Sequence, residues 1–442
     1  MLITAGRALP LDGRPPIADA AVLTAGSRIV AVGPRREVLA RPDAAGQERR
    51  DFGAGAVLLP GLVNAHIHLE YTHLGPLAAP TPFFPWLRGL SAWSGARAEA
   101  DWGDSAAAGA DACLRGGVTC LGEIVTRGEG LAAMAARGLH GVAYVELFGA
   151  RGADYAPRLA RFDERVAAAR AAVAAAGDPA LRVGLSPHTP YTLSGAAITA
   201  VAARAHDAGA PLAIHVAESP GEVELLAAGA GPIADWLVTS GGDAPLEPYR
   251  AGGYGQSPLA YVAARGVFRP GHPTLVVHAV QMDDADVAAL ARHGAAVALC
   301  PRSNDFLCCG EAPVAALLRA GIPLGVGTDS LGSNRDLDLF NELRALAAIV
   351  RRQAERAGRA VDEAALARRL LALATAEGAR ALALDAELGT LAPGKLADLA
   401  VLAFDGDDAD PYRAILDRAT AADVRCTILG GRVVHAAAGA VA

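Results

Sequence analysis

From residue 57 onward the chain repeats one unit: a short run of Val, Ile, Leu and Ala, a turn, then a longer stretch with helical spacing. The first run ends in His66 and His68, and the others cover residues 118–125, 141–148, 181–185, 211–217, 274–279, 295–300 and 323–327. Short apolar runs without polar alternation are characteristic of strands covered on both faces, and a helix between strands returns the chain for parallel pairing. Eight such units predict an α/β fold, a (β/α)8 barrel of the TIM type over residues 57–385. The spacing predicts helices at 131–137, 161–176, 195–208, 221–240 and 362–385.

The two ends read differently. Residues 1–56 and 386–442 contain short alternating pieces, such as 28–33, 398–402 and 424–429, punctuated by Gly, Pro and Asp. Two β-rich ends flanking a barrel pair most simply into one small β-sandwich domain built from both.

Composition narrows the partners. A net charge of −7 without a basic block argues against nucleic acid. No uncharged apolar run approaches the roughly 20 residues of a membrane span, and the N-terminal residues lack a basic start and a long apolar core. A cytoplasmic location is the expectation. The six cysteines have no CxxC spacing, which fits buried thiols, and the vicinal pair Cys308 and Cys309 is too bare a motif to imply redox or metal chemistry. Of 40 basic residues only Lys395 is a lysine.

Against the strand ends, the polar residues fall into a pattern. His66 and His68 end the first strand, His188 follows the fourth, His215 ends the fifth with Glu218 three residues on, His278 ends the sixth and Asp329 the eighth. Two imidazoles one residue apart on a strand share a face and make half of a divalent-metal site. Any one of these histidines alone reads as a satisfied structural group. Together they mark one rim of a barrel, the C-terminal rim where such folds carry their chemistry.

The stretches PGLVNAHIHLE, SPHTPYT, HVAES, HAVQM, CPRSN, GTDSLGSN and GTLAPGKLADLAVL, spread along the chain, resemble the amidohydrolase superfamily in its branch of nucleoside and heterocycle deaminases. The resemblance implies a metal-dependent hydrolase with His66, His68, His215 and Asp329 as metal ligands and Glu218, His278 and Asp329 as catalytic residues. Binuclear members bridge two metals with a carboxylated barrel lysine. Here the only lysine lies beyond the barrel, so one divalent ion, zinc or iron, is expected. Glu123 or Glu146 could bridge a second ion only as a less favoured reading.

Three imidazoles and a carboxylate leave an open position where bound water has its pKa lowered toward about 7. In that reading Asp329 takes the proton, His278 orients the nucleophile, and Glu218 protonates a ring nitrogen and shuttles a proton to departing ammonia. Ser330 and Asn304 are read only as loop-holding neighbours.

For the substrate, Glu70 is a candidate for ribose hydroxyls and His188 for the base or sugar. Arg151 is the candidate for a substrate carboxylate, with Arg88 and Arg127 competing. HIHLEYT, HVAES, CPRSN and GTDSL resemble most the aminofutalosine deaminases of the futalosine route to menaquinone. Deaminases of methylthioadenosine and S-adenosylhomocysteine share nearly all of these motifs, and triazine chlorohydrolases are a further option. A metal-binding homologue without turnover is the reading from another class, and it would have no need of Glu218. A homodimer would fit the family.

Overall fold

The computed structural model describes residues 1–150, 155–239, 251–403 and 410–439. The chain opens with β1 (Leu2–Ala8), β2 (Ile17–Ala25), β3 (Arg28–Pro34), β4 (Arg49–Asp51) and β5 (Ala56–Pro60). Next come β6 (Leu62–Ile67), β7 (Val118–Val125), β8 (His140–Leu147), β9 (Leu181–Pro187), β10 (Leu212–Val216), β11 (Thr274–His278), β12 (Ala296–Leu299) and β13 (Leu324–Val326). β14 (Leu399–Ala403), β15 (Val424–Leu429) and β16 (Arg432–Ala436) close it.

β6 to β13 are hydrogen-bonded in chain order and all parallel, at the eight places the sequence pattern predicts. Alternate residues divide between two cores. Val63, Val142, Tyr144, Ala213, Leu275, Val277 and Ala298 share one apolar cluster with Leu382 and Leu388, which identifies the barrel lumen. Leu62, Leu121, Ala143, Ile214, Val276 and Val297 pack instead with the surrounding helices.

Between β13 and β6 the seam is made by single contacts. The Asn64 amide donates to Thr328 Oγ1 at 2.8 Å and accepts from the Thr328 N–H at 3.1 Å, and the Asp329 N–H donates to the His66 carbonyl at 3.1 Å. Glycine is required here. A Cβ on Gly327 would lie 2.7 Å from the His66 carbonyl oxygen, and one on Gly325 2.5 Å from the Ala65 Cβ.

The β-rich ends pair with each other in a mixed sheet, order β16-β15-β14-β5-β1-β2-β3, with β4 also on β1. The joint is the antiparallel pair β5–β14. β5 straddles the boundary read from sequence at residues 56 and 57 and belongs by its hydrogen bonds to this small sheet.

Two expected helices are each broken in two. The 221–240 stretch is Pro220–Ala228 and Pro232–Thr239, because Gly229 takes the left-handed C-cap conformation and Pro232 starts a new helix. The 362–385 stretch divides into Glu363–Leu373 and Ala376–Ala381. All six thiols are free; five are buried and Cys308 is exposed. Among the described residues no helix is long and apolar enough to cross a membrane.

A buried charged cluster ties the barrel floor to the small sheet. His140, at the start of β8, places Nδ1 2.7 Å from Asp398 and Nε2 3.3 Å from Asp178. Burial alone would push its pKa down, but the two carboxylates outweigh that and raise it. A raised histidine pKa contributes stability that is complete below about pH 6.5 and is lost as pH rises through the folded-state value. His140→Leu leaves two carboxylates without their cation and is expected to cost about 3–5 kcal/mol at neutral pH. Thermal unfolding against pH checks this: the wild type should lose melting temperature toward alkaline pH, and the variant should lack that loss. An identical pH slope in both would remove His140 from the account.

Candidate metal centre and active site

His66, His68, His188, His215, Glu218, His278 and Asp329 sit where strands of the barrel end. His215 follows the inward register of Ala213 on β10, so alternation alone brings it to the lumen. The others need help from the backbone. Val63 and Ala65 face the lumen, so strict alternation would turn His66 and His68 outward; the β6–β7 register is irregular between Asn64 and Ile67, and the pair comes inward with ring centroids 4.9 Å apart. His278, Ala217 and Asp329 have φ of 72°, 57° and 56°. Left-handed backbone at non-glycine residues costs on the order of 1–3 kcal/mol each and gathers at functional sites, where it re-aims side chains. At His278 and just before Glu218 it interrupts the strand alternation that would otherwise turn these groups outward.

The turn after β10 is held by Glu222. Its carboxylate accepts from the N–H groups of Ala217 at 3.0 Å and Glu218 at 2.9 Å. Sequence reasoning missed Glu222, although Ser219-Pro-Gly-Glu222 has capping-box spacing and Ser219 does cap the following helix.

Ligand atoms of His66, His215 and His278 lie within 4.8 Å of one another, as do those of His66, His68 and Asp329. His66 Nε2 is 3.5 Å and His68 Nε2 3.6 Å from Asp329 Oδ1. Ligands about 2.1 Å from one tetrahedral ion are roughly 3.4 Å apart, so these spacings suit a shared cation. Both ring nitrogens of His66 and Nδ1 of His68 are buried without a hydrogen-bond partner, which a protein tolerates poorly unless something else binds there. His215 Nδ1 lies 3.2 Å from the His188 carbonyl, a contact that fixes the tautomer with Nε2 available as a ligand. Burial, with neighbouring imidazoles adding to it, lowers the pKa of His68 to about 3 and that of His215 well below the usual range. The neutral form is the one that binds metal.

The Asp329 carboxylate is clamped. Oδ2 accepts from the hydroxyls of Ser303 at 2.6 Å and Ser333 at 2.8 Å, and Oδ1 accepts from the Ser330 N–H at 2.7 Å. Burial opposes its ionisation, but His66 and the other imidazoles hold its pKa well below the ordinary range. Ser303 and Ser333 went unread in the sequence despite standing inside CPRSN and GTDSLGSN. Asn304, read there as a loop-holder, lies with Oδ1 3.0 Å from His278 Nδ1. Glu218 places Oε1 3.5 Å from His278 Nε2, and burial, reinforced by Asp329 and Glu222, raises its pKa well above the usual range.

Other candidates fall elsewhere. Glu70 is fully buried and both its oxygens are taken by the N–H groups of Arg127, Gly128 and Gly130 at 2.9–3.2 Å, so it holds a loop and is not available for ribose. Glu123 accepts from the Leu69 N–H. Arg151 lies outside the described residues, and Arg88 is exposed and not part of the cavity wall. His188 and Arg127 both line the cavity.

That cavity, about 300 Å³, stands directly over the cluster and includes His68, His215, Glu218, His278 and Asp329 in its wall. Its other side is one face of the helix Phe83–Gly95: Phe83, Trp86, Leu87, Leu90, Ser91 and Ser94, at the 3.6-residue spacing of a single stripe. Trp86 is anchored by donating Nε1–H to the Gly332 carbonyl at 2.7 Å, next to the Asp329 loop. The Arg127 guanidinium lies 4.2 Å over the Trp102 ring.

The chain is 33% identical to a 5-methylthioadenosine/S-adenosylhomocysteine deaminase of Symbiobacterium thermophilum over 98% of this chain and 93% of that protein. It is 35% identical to an aminodeoxyfutalosine deaminase of Deinococcus radiodurans over 73% of this chain and 74% of that one. Among solved structures, an adenosine deaminase from Xanthomonas campestris with bound zinc superposes with a TM-score of 0.79 at 28% identity, covering 98% of this chain and 92% of that one. Residues 57–434 match the model of the amidohydrolase family. With that match over most of its length and a rim of histidines and carboxylates at the strand ends, the chain belongs to the amidohydrolase family and is a hydrolase acting on C–N bonds.

Proposed function

We propose that the protein is a metal-dependent hydrolytic deaminase of an adenine-type nucleoside. His66, His68, His215 and Asp329 would hold one divalent ion, zinc or iron. The observation that carries this reading is the convergence of those four groups with Glu218 and His278, all but the fully buried His66 lining one apolar cavity. Held there, such an ion would supply a water whose pKa is lowered toward about 7. Asp329, fixed by its serine clamp, takes the proton as water oxygen bonds to the amine-bearing carbon. His278, steadied through Nδ1 by Asn304, orients that water. Glu218 protonates the adjacent ring nitrogen, which makes the carbon electrophilic, and a proton passed to the amine lets it leave as ammonia.

Within this class the reading is a nucleoside such as aminofutalosine, which carries an aryl carboxylate beyond its ribose. Its support is the aromatic stripe of the cavity and Arg127, the arginine in the cavity wall, which forms no ion pair among the described residues. Methylthioadenosine or S-adenosylhomocysteine is the second reading, favoured by the names of several relatives. Arg127→Ala separates the two. Because this guanidinium is exposed and partly screened, kcat/KM for the carboxylate-bearing nucleoside should fall about tenfold, with methylthioadenosine barely affected. Equal losses on both substrates would remove Arg127, and wild-type preference for methylthioadenosine would overturn the aminofutalosine reading.

A further inference from the structure

The cavity wall holds a third carboxylate that the proposed chemistry leaves unused. Glu146, near the end of β8, is 2% exposed. Its Oε2 accepts from the Thr126 hydroxyl at 3.1 Å, whereas Oε1 is buried without a partner. His188 Nε2 lies 3.9 Å from Oε1, too long for a hydrogen bond. Both groups are braced. Arg165 donates to the Glu146 carbonyl at 2.9 Å and to the Val125 carbonyl at 2.8 Å, and His188 Nδ1 lies 2.8 Å from Thr192 Oγ1. A buried carboxylate oxygen and an imidazole nitrogen, each held in place and separated by a gap they do not close, form a slot for a third atom.

We propose that Glu146 and His188 together recognise a hydroxyl of the substrate's sugar, one oxygen donating to Glu146 Oε1 and accepting from His188 Nε2–H. A hydroxyl donates and accepts through the same atom, which neither an amine cation nor a carboxylate does. The position agrees with a sugar. On one side His188 abuts His215, with ring centroids 5.1 Å apart, where the base would react. On the other it abuts the half-exposed Phe148, with centroids 4.9 Å apart, toward the open side. The sugar of a nucleoside lies between its base and its 5′ substituent. Glu146 thereby takes the part that sequence position alone offers to Glu70.

The inference rests on the nucleoside deaminase reading, and the test keeps the two apart. Ammonia release is measured for a 5′-substituted adenine ribonucleoside and its 2′-deoxy and 3′-deoxy counterparts, with wild type, Glu146→Leu and Glu146→Gln, and metal content is read on each sample. Wild type should lose about 10²-fold or more in kcat/KM when the contacted hydroxyl is missing. Glu146→Leu should bring the ribonucleoside down to the level of that deoxy analogue at unchanged metal content, and Glu146→Gln, which keeps an oxygen acceptor, should retain part of the preference. Wild-type indifference to both deoxy analogues overturns the proposal without touching the deaminase reading, and needs no variant to fold. An unchanged preference in Glu146→Leu also overturns it. So does loss of a second bound ion, since Glu146, His188 and His215 also lie within 4.8 Å of one another. If no adenine nucleoside releases ammonia, the deaminase reading fails and this inference fails with it.

Discussion

Glu218→Gln is expected to keep its metal and its fold and to lose kcat by about 10²–10⁴-fold, the range for removing a positioned proton donor. Glutamine preserves the shape of a side chain whose neighbours are already fixed: Glu222 holds the backbone at Ala217 and Glu218, and His278 is held by Asn304. Glu218 belongs to neither ligand triplet that contains His66. KM for the nucleoside should change little, because the lost interaction develops at the transition state. Steady-state kinetics together with elemental analysis of the same preparation checks this. Near-normal turnover in a metal-replete variant would take Glu218 out of the mechanism.

The second large effect concerns the ligands. His66→Ala or His215→Ala should abolish retention of the ion and bring activity to background, since each removes an imidazole that this arrangement leaves without another partner for its ligand nitrogen. Ser303→Ala should act more gently. Among the described residues its hydroxyl hydrogen-bonds to Asp329 alone, so a loss of about 10–100-fold in metal affinity or activity is expected. Metal titration into stripped protein distinguishes the two, because Ser303→Ala should recover activity at higher metal concentration while His215→Ala should not. Full metal occupancy and activity in His215→Ala would remove it from the ligand set.

The barrel was legible because its strands are covered on both faces. Continuous apolar runs are unambiguous when they recur with helices between them, and all eight strands appear where the pattern puts them. The rim residues were legible because strand ends are where a barrel exposes side chains to its mouth. Side-chain direction was not legible. Glu70 follows the ligand strand in sequence, yet a 3-10 turn over Leu69–Leu74 swings it away to cap backbone N–H groups. His278 and Glu218 reach the lumen only through left-handed backbone at His278 and Ala217, which no residue type announces. Nor did the proline-rich segment before residue 100 advertise its helix. Only with the helix in place does the stripe from Phe83 to Ser94 show which face meets the cavity. Ser303, Ser333 and Glu222 act through other side chains or backbone, and such supporting contacts depend on distances that spacing along the chain does not encode.

The measurement that bears most directly on the central claim is ammonia release from adenine-type nucleosides by wild-type protein, followed as metal is removed with a chelator and then restored. The account predicts one ammonia and one hydroxypurine-type product per nucleoside consumed, with activity proportional to bound metal up to one ion per chain. Metal-replete protein that releases no ammonia from any nucleoside, or metal-free protein that releases it undiminished, would contradict it.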